Sequence, residues 1–352
     1  MTTTTERHTT AALSGVQKLT FAKAITLGLR RAMLDDPKVL LMGEDIGRLG
    51  GVFRVTDGLY DEFGAQRVVD TPLAESGIIG TAIGLALRGY RSVCEIQFDG
   101  FIFPAFDQIT TQLAKMHYRS RGRLTVPVVI RVPYGGGIGA VEHHSESPEV
   151  LFAHTPGLRV VSPSSPAEAY TMIQAAIASP DPVLFFEPKV RYWEKGEVDL
   201  GPADDERTPG SVAAPDDAVL NRARIVRPGT DVTVVTYGGS VATVLKAADA
   251  AAAEGTSLEG VDLRAISPLD TATVAESVRR TGRCVVVHEA PVLYGSGAEV
   301  AARITEECFY HLQAPVLRVG GFHTPYPVAK LEHEYLPSLD RVLDAVDRTL
   351  AF

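Results

Sequence analysis

Three polar segments hold side chains able to move protons or grip a flat, charged ligand. They are Asp70-Thr71-Pro72-Leu73-Ala74-Glu75-Ser76-Gly77, then Glu95-Ile96-Gln97-Phe98-Asp99-Gly100-Phe101, then Gly135-Gly136-Gly137-Ile138-Gly139 with Glu142-His143-His144-Ser145-Glu146 behind it. Glu75 reads as an acid–base group or as a first-turn carboxylate favoured by the helix dipole, worth ~0.3–1 kcal/mol. Gln97 can present an amide to a ligand or close its turn. Phe101 can stack on a ring or fill core. A histidine in a glycine-flanked loop titrates near neutrality and can act as acid or base; it can equally be a solvated loop residue. His143 and His144 are adjacent and so do not share a helix face, which disfavours a metal pair. Gly77, Gly80 and Gly84 fall near one helix face, each at a cost of about 0.5–1 kcal/mol against alanine. Such a stripe suits the close approach of a ligand, of another backbone, or of a neighbouring element in the same domain.

These segments must be positioned by the elements around them. Short apolar runs at 39–42, 67–69, 92–96, 126–132, 158–161 and 183–186 predict buried strands. Helical spacing is found at 21–33, 77–87, 103–116 and 166–178, the first run stopped by Asp35-Asp36-Pro37. Continuous apolar strands separated by helices predict a parallel sheet covered on both faces. The stretch 195–221 is rich in Pro, Gly, Asp and Glu without periodicity, and a second alternation follows it. That one has strands at 232–236, 261–264, 284–287 and 316–319 and helices at 240–254, 271–280, 298–308 and 340–349. The expected organisation is a tail at 1–17, an α/β domain at 18–195, a linker at 196–221 and a second α/β domain at 222–352. In each, a mainly parallel sheet lies between helices, giving three layers. All three candidate segments then sit at strand ends, where α/β sheets build ligand sites.

Composition sets the outer bounds. The 352 residues carry a net charge of −9, which supplies no basic excess for neutralising phosphates and disfavours a nucleic-acid partner. The three cysteines, Cys94, Cys284 and Cys308, form no CxxC pair, which argues against a disulfide framework and a cysteine zinc site. No run approaches the length of a membrane span, and the Thr-rich N-terminus has no apolar core of a secretory signal. A cytoplasmic location is expected.

The strings LMGEDIG (41–47), GGVFRVTDGL (50–59), RVVDTPLAESGIIGTAIGLAL (67–87), EIQFDGFIFPAFDQI (95–109), HSESPE (144–149), HTPGLRVVSPSSPAEA (154–169), DPVLFFEPK (181–189) and HEAP (288–291) resemble the beta subunit of the thiamine-diphosphate-dependent 2-oxo acid dehydrogenases. The resemblance covers nearly the whole chain after the tail. EIQF with PAFDQ, and His-Ser-x-Ser-Pro-Glu, are most similar to the branched-chain members; Phe101 stands where those members have Tyr and pyruvate members have Phe. The resemblance implies a transketolase-like pyrimidine-binding domain followed by a transketolase C-terminal-type domain.

It also implies roles, position by position. Glu75 matches the glutamate that bonds the aminopyrimidine ring, Leu73 the apolar residue lining it, and Phe101 the aromatic stacked on it. Glu44 and Gln97 match polar residues of the same pocket, and His144 the histidine beside the reacting carbon. Main-chain oxygens of Val126, Val128, Ala176 and Asp181 match those of a structural potassium site. His323 in FHTPYP departs from the family's Asp. The chemistry implied is loss of a proton from the cofactor's thiazolium carbon, promoted by a carboxylate on the aminopyrimidine. Decarboxylation of the 2-oxo acid and acyl transfer to a lipoyl group follow. The chain has no GDG motif and a single asparagine, Asn221. The diphosphate and Mg2+ are therefore expected on an alpha subunit, in an assembly of two alpha and two beta chains that also engages a lipoyl-bearing acyltransferase core. The alternatives are a pyruvate or acetoin substrate and a non-catalytic scaffold subunit. A nucleotide-binding oxidoreductase needs a GxGxxG that is absent.

Overall fold

The computed structural model describes residues 14–202 and 217–352. The expected tail up to residue 13 and the linker centre at 203–216 lie outside the described residues. Fourteen strands are described: β1 (Val16–Thr20), β2 (Val39–Gly43), β3 (Val68–Asp70), β4 (Arg91–Glu95), β5 (Val128–Tyr134), β6 (Arg159–Val161), β7 (Val183–Pro188), β8 (Lys195–Asp199), β9 (Arg224–Arg227), β10 (Val232–Thr236), β11 (Leu258–Asp262), β12 (Ala265–Ser267), β13 (Cys284–Pro291) and β14 (Leu317–Gly321).

Seven strands form the first sheet in the order β12-β6-β7-β5-β4-β2-β3, parallel except where β12 runs antiparallel to β6. Five form the second, β14-β13-β10-β11-β9, parallel except for β9. The central strands are buried and largely apolar because helices cover both faces. One face of the first sheet is closed by helices Phe21–Asp35 and Pro166–Ala178. Thr20 caps the first by accepting from the Lys23 amide at 3.2 Å, and Ser165 with Pro166 starts the second. Gly28 lets the two helices touch: a Cβ there would lie 2.4 Å from Ile173 Cγ2. The other face is covered by helix Glu75–Leu87, and that core runs on into the second domain through Tyr237, Leu263 and Val300.

Four expectations need correction. Val16 and Gln17 belong to β1, not to a tail; β1 pairs antiparallel with β8, which occupies the start of the expected linker. This ribbon was hidden because it buries little beyond Val198 and lacks apolar alternation. The strand expected at 261–264 ends at Asp262, since Arg264 takes a left-handed φ of +58°. The following segment, β12, leaves the second domain and joins the first sheet. Lastly, the helix expected at 103–116 is broken into 3-10, π and α turns. Pro104 lacks a donor and Ile109-Thr110-Thr111 is β-branched, both unfavourable to a regular α-helix.

Candidate active site

Four neighbouring strands, β3, β2, β4 and β5, end on the same edge of the first sheet. β2 runs into Glu44, β3 leads through Leu73 to Glu75, β4 into Gln97, and β5 into the glycine loop before His144. Adjacent parallel strands thus deliver adjacent side chains, the usual crevice of an open α/β sheet.

Glu75 is the first residue of its helix and is only 8% exposed. Its neighbour Glu44 is similarly buried, and one carboxylate oxygen, Oε1, has no hydrogen-bond partner among the described residues. Burial pushes the Glu44 carboxyl above its ordinary range; the charges of Glu75 and Asp45 add to this, and a bond from the Ala74 amide works against it. Gln97 Nε2 donates to the Glu44 carbonyl at 3.4 Å, so its amide is turned into the same corner. Leu73 stands beside this corner with 81% of its surface exposed, an apolar side chain left bare by the described residues.

The histidine arrives from the other side. Its ring lies 4.0 Å from that of Phe98, 15° from parallel, and meets Phe101 edge-on at 5.1 Å. His144 Nδ1 is 2.9 Å from the His143 carbonyl, which pins one ring nitrogen and leaves Nε2 as the free one. The turn Asp99–Ala105, which carries Phe101, packs against both the Glu75 helix and the histidine turn Glu142–His144. Glu44, Glu75 and Gln97 therefore form one cluster, Phe101 and His144 a second, and one short segment touches both. His143 is exposed.

The Gly77, Gly80 and Gly84 stripe faces outward. Among the described residues, a Cβ at Gly80 or Gly84 would meet nothing within 4 Å, so close packing against them is not its explanation. The potassium-matching positions lie at the opposite end of the sheet. Val126 and Val128 flank the start of β5, and Ala176 sits in the last turn of helix Pro166–Ala178, where carbonyls lack an in-helix partner. Arg91 Nη1 already engages the neighbouring carbonyls of Ile177, Ala178 and Ser179 at 2.8–3.2 Å. Asp181 sends its side chain to Arg159.

Two buried charge clusters under the site escaped the sequence reading. Arg131 on β5 is held between Glu95, where β4 ends, and Glu187 near the end of β7, with Tyr192 donating to Glu187 at 2.6 Å. Lys189 and Asp99 pair at 2.7 Å with neither side chain exposed, and Asp99 also accepts the Glu146 amide at 2.9 Å. The signal was present: Glu95, Arg131 and Glu187 interrupt strands otherwise apolar, and such charges are rarely buried unless paired.

The chain matches the transketolase pyrimidine binding domain over residues 17–193 and the transketolase C-terminal domain over residues 221–342. It is 60% identical to the pyruvate dehydrogenase E1 component subunit beta of Leifsonia xyli subsp. xyli, over 96% of either chain. It is 54% identical to the 3-methyl-2-oxobutanoate dehydrogenase subunit beta of Mycobacterium tuberculosis, over 95% of this chain and 92% of that one. Among solved structures, a split gene transketolase described as an inactive beta4 tetramer shares the fold. Its TM-score is 0.72 at 23% identity, covering 95% of this chain and 98% of that one.

Proposed function

The chain belongs to the E1 beta subunits of the thiamine-diphosphate-dependent 2-oxo acid dehydrogenases, and from that premise we propose that it forms the pyrimidine-side half of an active site for branched-chain 2-oxo acids. The observation that carries this is the Glu44–Glu75 corner, with its unpartnered Oε1 and the bare Leu73 beside it. A buried polar atom without a partner stays in place only at a free-energy cost, and a ligand nitrogen set there removes that cost. Such a corner fits an aminopyrimidine, which offers both nitrogens and an apolar face.

Bound thiamine diphosphate supplies a nucleophilic carbon and an electron sink. Within the chain, Glu75 bonds the aminopyrimidine and stabilises its protonated form. Glu44, whose carboxyl holds its proton to higher pH, donates from Oε1 or accepts there. Gln97 fixes the polar edge, and Leu73 and Phe101 border the ring. His144, anchored at Nδ1, presents Nε2 to supply or remove the proton needed when the acyl group leaves for a lipoyl sulfur.

The diphosphate and Mg2+ fall to an alpha subunit in this proposal, since the sequence has no GDG. The outward glycine stripe supports a second chain lying against this one, in an assembly of two alpha and two beta subunits that docks on an acyltransferase core. Potassium at the Val126, Val128, Ala176 and Asp181 carbonyls, and a cytoplasmic location, belong to the same proposal. The branched-chain preference is supported by EIQF and PAFDQ and by relatives named 2-oxoisovalerate dehydrogenase subunit beta in Dictyostelium discoideum and Pseudomonas aeruginosa, at 45% and 43% identity. Phe101 and the 60% identical relative favour pyruvate as a second reading. Reconstitution with the alpha subunit decides between them. A kcat/KM for 3-methyl-2-oxobutanoate at least ten times that for pyruvate is expected, and the reverse ratio overturns the assignment.

A further inference from the structure

The glycine loop that carries the histidines is held from the second domain. Its ends are tied where the Gly135 amide donates to the Glu146 carbonyl at 2.9 Å. Between them, Gly135, Gly137 and Gly139 take φ values of +77°, +89° and +72°, which turn successive amides to one side as in an anion-binding nest. Two carboxylates fill that nest. Glu289, on β13, accepts from Gly136 N. Glu332, on helix Glu332–Tyr335, accepts from Gly137 N at 2.7 Å and from Gly139 N at 3.0 Å. Tyr326 donates to Glu332 at 2.8 Å, and its hydroxyl comes so close that a Cβ on Gly136 would sit 1.6 Å from it. The far end of the loop is fastened by Asp99 and Lys189 of the first domain. A Cβ on Gly100 would lie 2.3 Å from the His143 carbonyl, the same oxygen that faces His144 Nδ1.

We propose that Glu289 and Glu332 are positioning residues: by gripping the glycine amides from the second domain they fix the loop, and through the loop the place of His144 over Phe98. This rests on the role given to His144 above. The two oxygens of Glu332 take two amides at once, and charge-assisted bonds of this kind are about twice as strong as neutral ones, so the grip is a strong constraint on a segment otherwise rich in glycine.

Amide exchange on the full chain tests the grip directly. Glu332→Ala is expected to speed exchange at Gly137 and Gly139 at least tenfold while β5 and β13 keep their protection. Glu332→Gln keeps one acceptor oxygen and turns an NH2 toward the other amide, so exchange is expected to speed at one of the two glycines and to stay within threefold of wild type at the other. Unchanged exchange in the Ala variant, or acceleration spread through both domains, overturns the proposal. In the reconstituted enzyme, Glu332→Ala is expected to slow lipoyl-dependent turnover about tenfold with little change in KM. Combining it with His144→Ala is expected to add nothing to the loss from His144→Ala alone. Fully additive losses sink the link to the histidine. Should His144→Ala itself leave turnover intact, the functional reading falls, whereas the exchange result still reports on the grip.

Discussion

Replacing Arg131 by methionine keeps the aliphatic stem and removes every donor between Glu95 and Glu187. In the native chain Nε donates to Glu187 at 2.6 Å, Nη2 to the same carboxylate at 2.9 Å, and Nη1 to Glu95 at 2.5 Å. The arginine side chain is 1% exposed and the two glutamates 6% and 0%. Without the guanidinium, two buried carboxylates face each other, and protonation is the way out. Forcing one carboxyl to stay protonated at pH 7 costs about 4 kcal/mol from an ordinary value near 4.3. The Tyr192 hydroxyl still serves Glu187, so one charge is partly satisfied. The expected loss is about 3–6 kcal/mol, in line with other broken buried pairs and a large share of a typical native stability of about 5–15 kcal/mol. At pH 5 the protonation cost falls below about 1 kcal/mol per group, so the deficit shrinks by about 2–4 kcal/mol. Urea midpoints read from Trp193, the single tryptophan, beside Tyr192, measure this at both pH values. Adding Glu95→Gln and Glu187→Gln to the variant is expected to recover most of the loss. A deficit under about 1 kcal/mol, or one that does not change with pH, would falsify the reasoning, since the loss is assigned to holding orphaned carboxyls protonated above their ordinary range.

Glu75→Gln is expected to lower turnover of the reconstituted enzyme more than tenfold, a barrier rise above ~1.4 kcal/mol, and to bring the Glu44 carboxyl back toward its ordinary range. Isotope-edited NMR titration of Glu44 reads the second effect, and an unmoved Glu44 counts against their coupling. His144→Ala is expected to hurt the lipoyl-domain assay about 10²–10⁴-fold and an artificial-acceptor assay much less, with His143→Ala mild in both. Equal losses in the two assays reassign the histidine. Burial pushes Glu149 and Glu289 up to about 7 and Asp262 up to about 6. The folded chain thus keeps protons that the unfolded chain sheds from about pH 4 upward, and stability falls as pH rises through 7. Glu149→Gln, which leaves the Tyr237 hydroxyl an acceptor, is expected to flatten that fall in denaturant midpoints between pH 5 and 8. An unaltered slope speaks against it.

The edge of the first sheet was readable because its strands are buried on both faces and each ends in a polar turn. Glu75, Gln97, Phe101 and His144 could be placed at strand ends from the residues alone, and Glu44 and Leu73 by resemblance. What stayed hidden depends on partners distant in sequence. The ribbon of β1 with β8 joins residues some 180 apart in exposed, polar strands. Glu289 and Glu332 reach a loop about 150 and 195 residues before them, and nothing local to HEAP or to the second segment announces it. Regularity across 103–116 suggested one helix, yet Pro104 and the β-branched run broke it, a local conflict that composition averages away.

The short strand β12 has a consequence for the order in which the molecule can be made. The chain leaves the first domain, builds three strands and a helix of the second, returns at Ala265–Ser267 to complete the first sheet beside β6, and crosses back. On a ribosome the first sheet emerges without its outermost member. From the end of β7 to the end of β12 about 80 further residues must follow, some 4–16 s at ordinary synthesis rates. Until then β6 is a free edge, only three residues long, which limits what a stray strand can pair with. The first domain therefore reaches its finished form only when the second is already under construction, and a cut between the two leaves neither half whole.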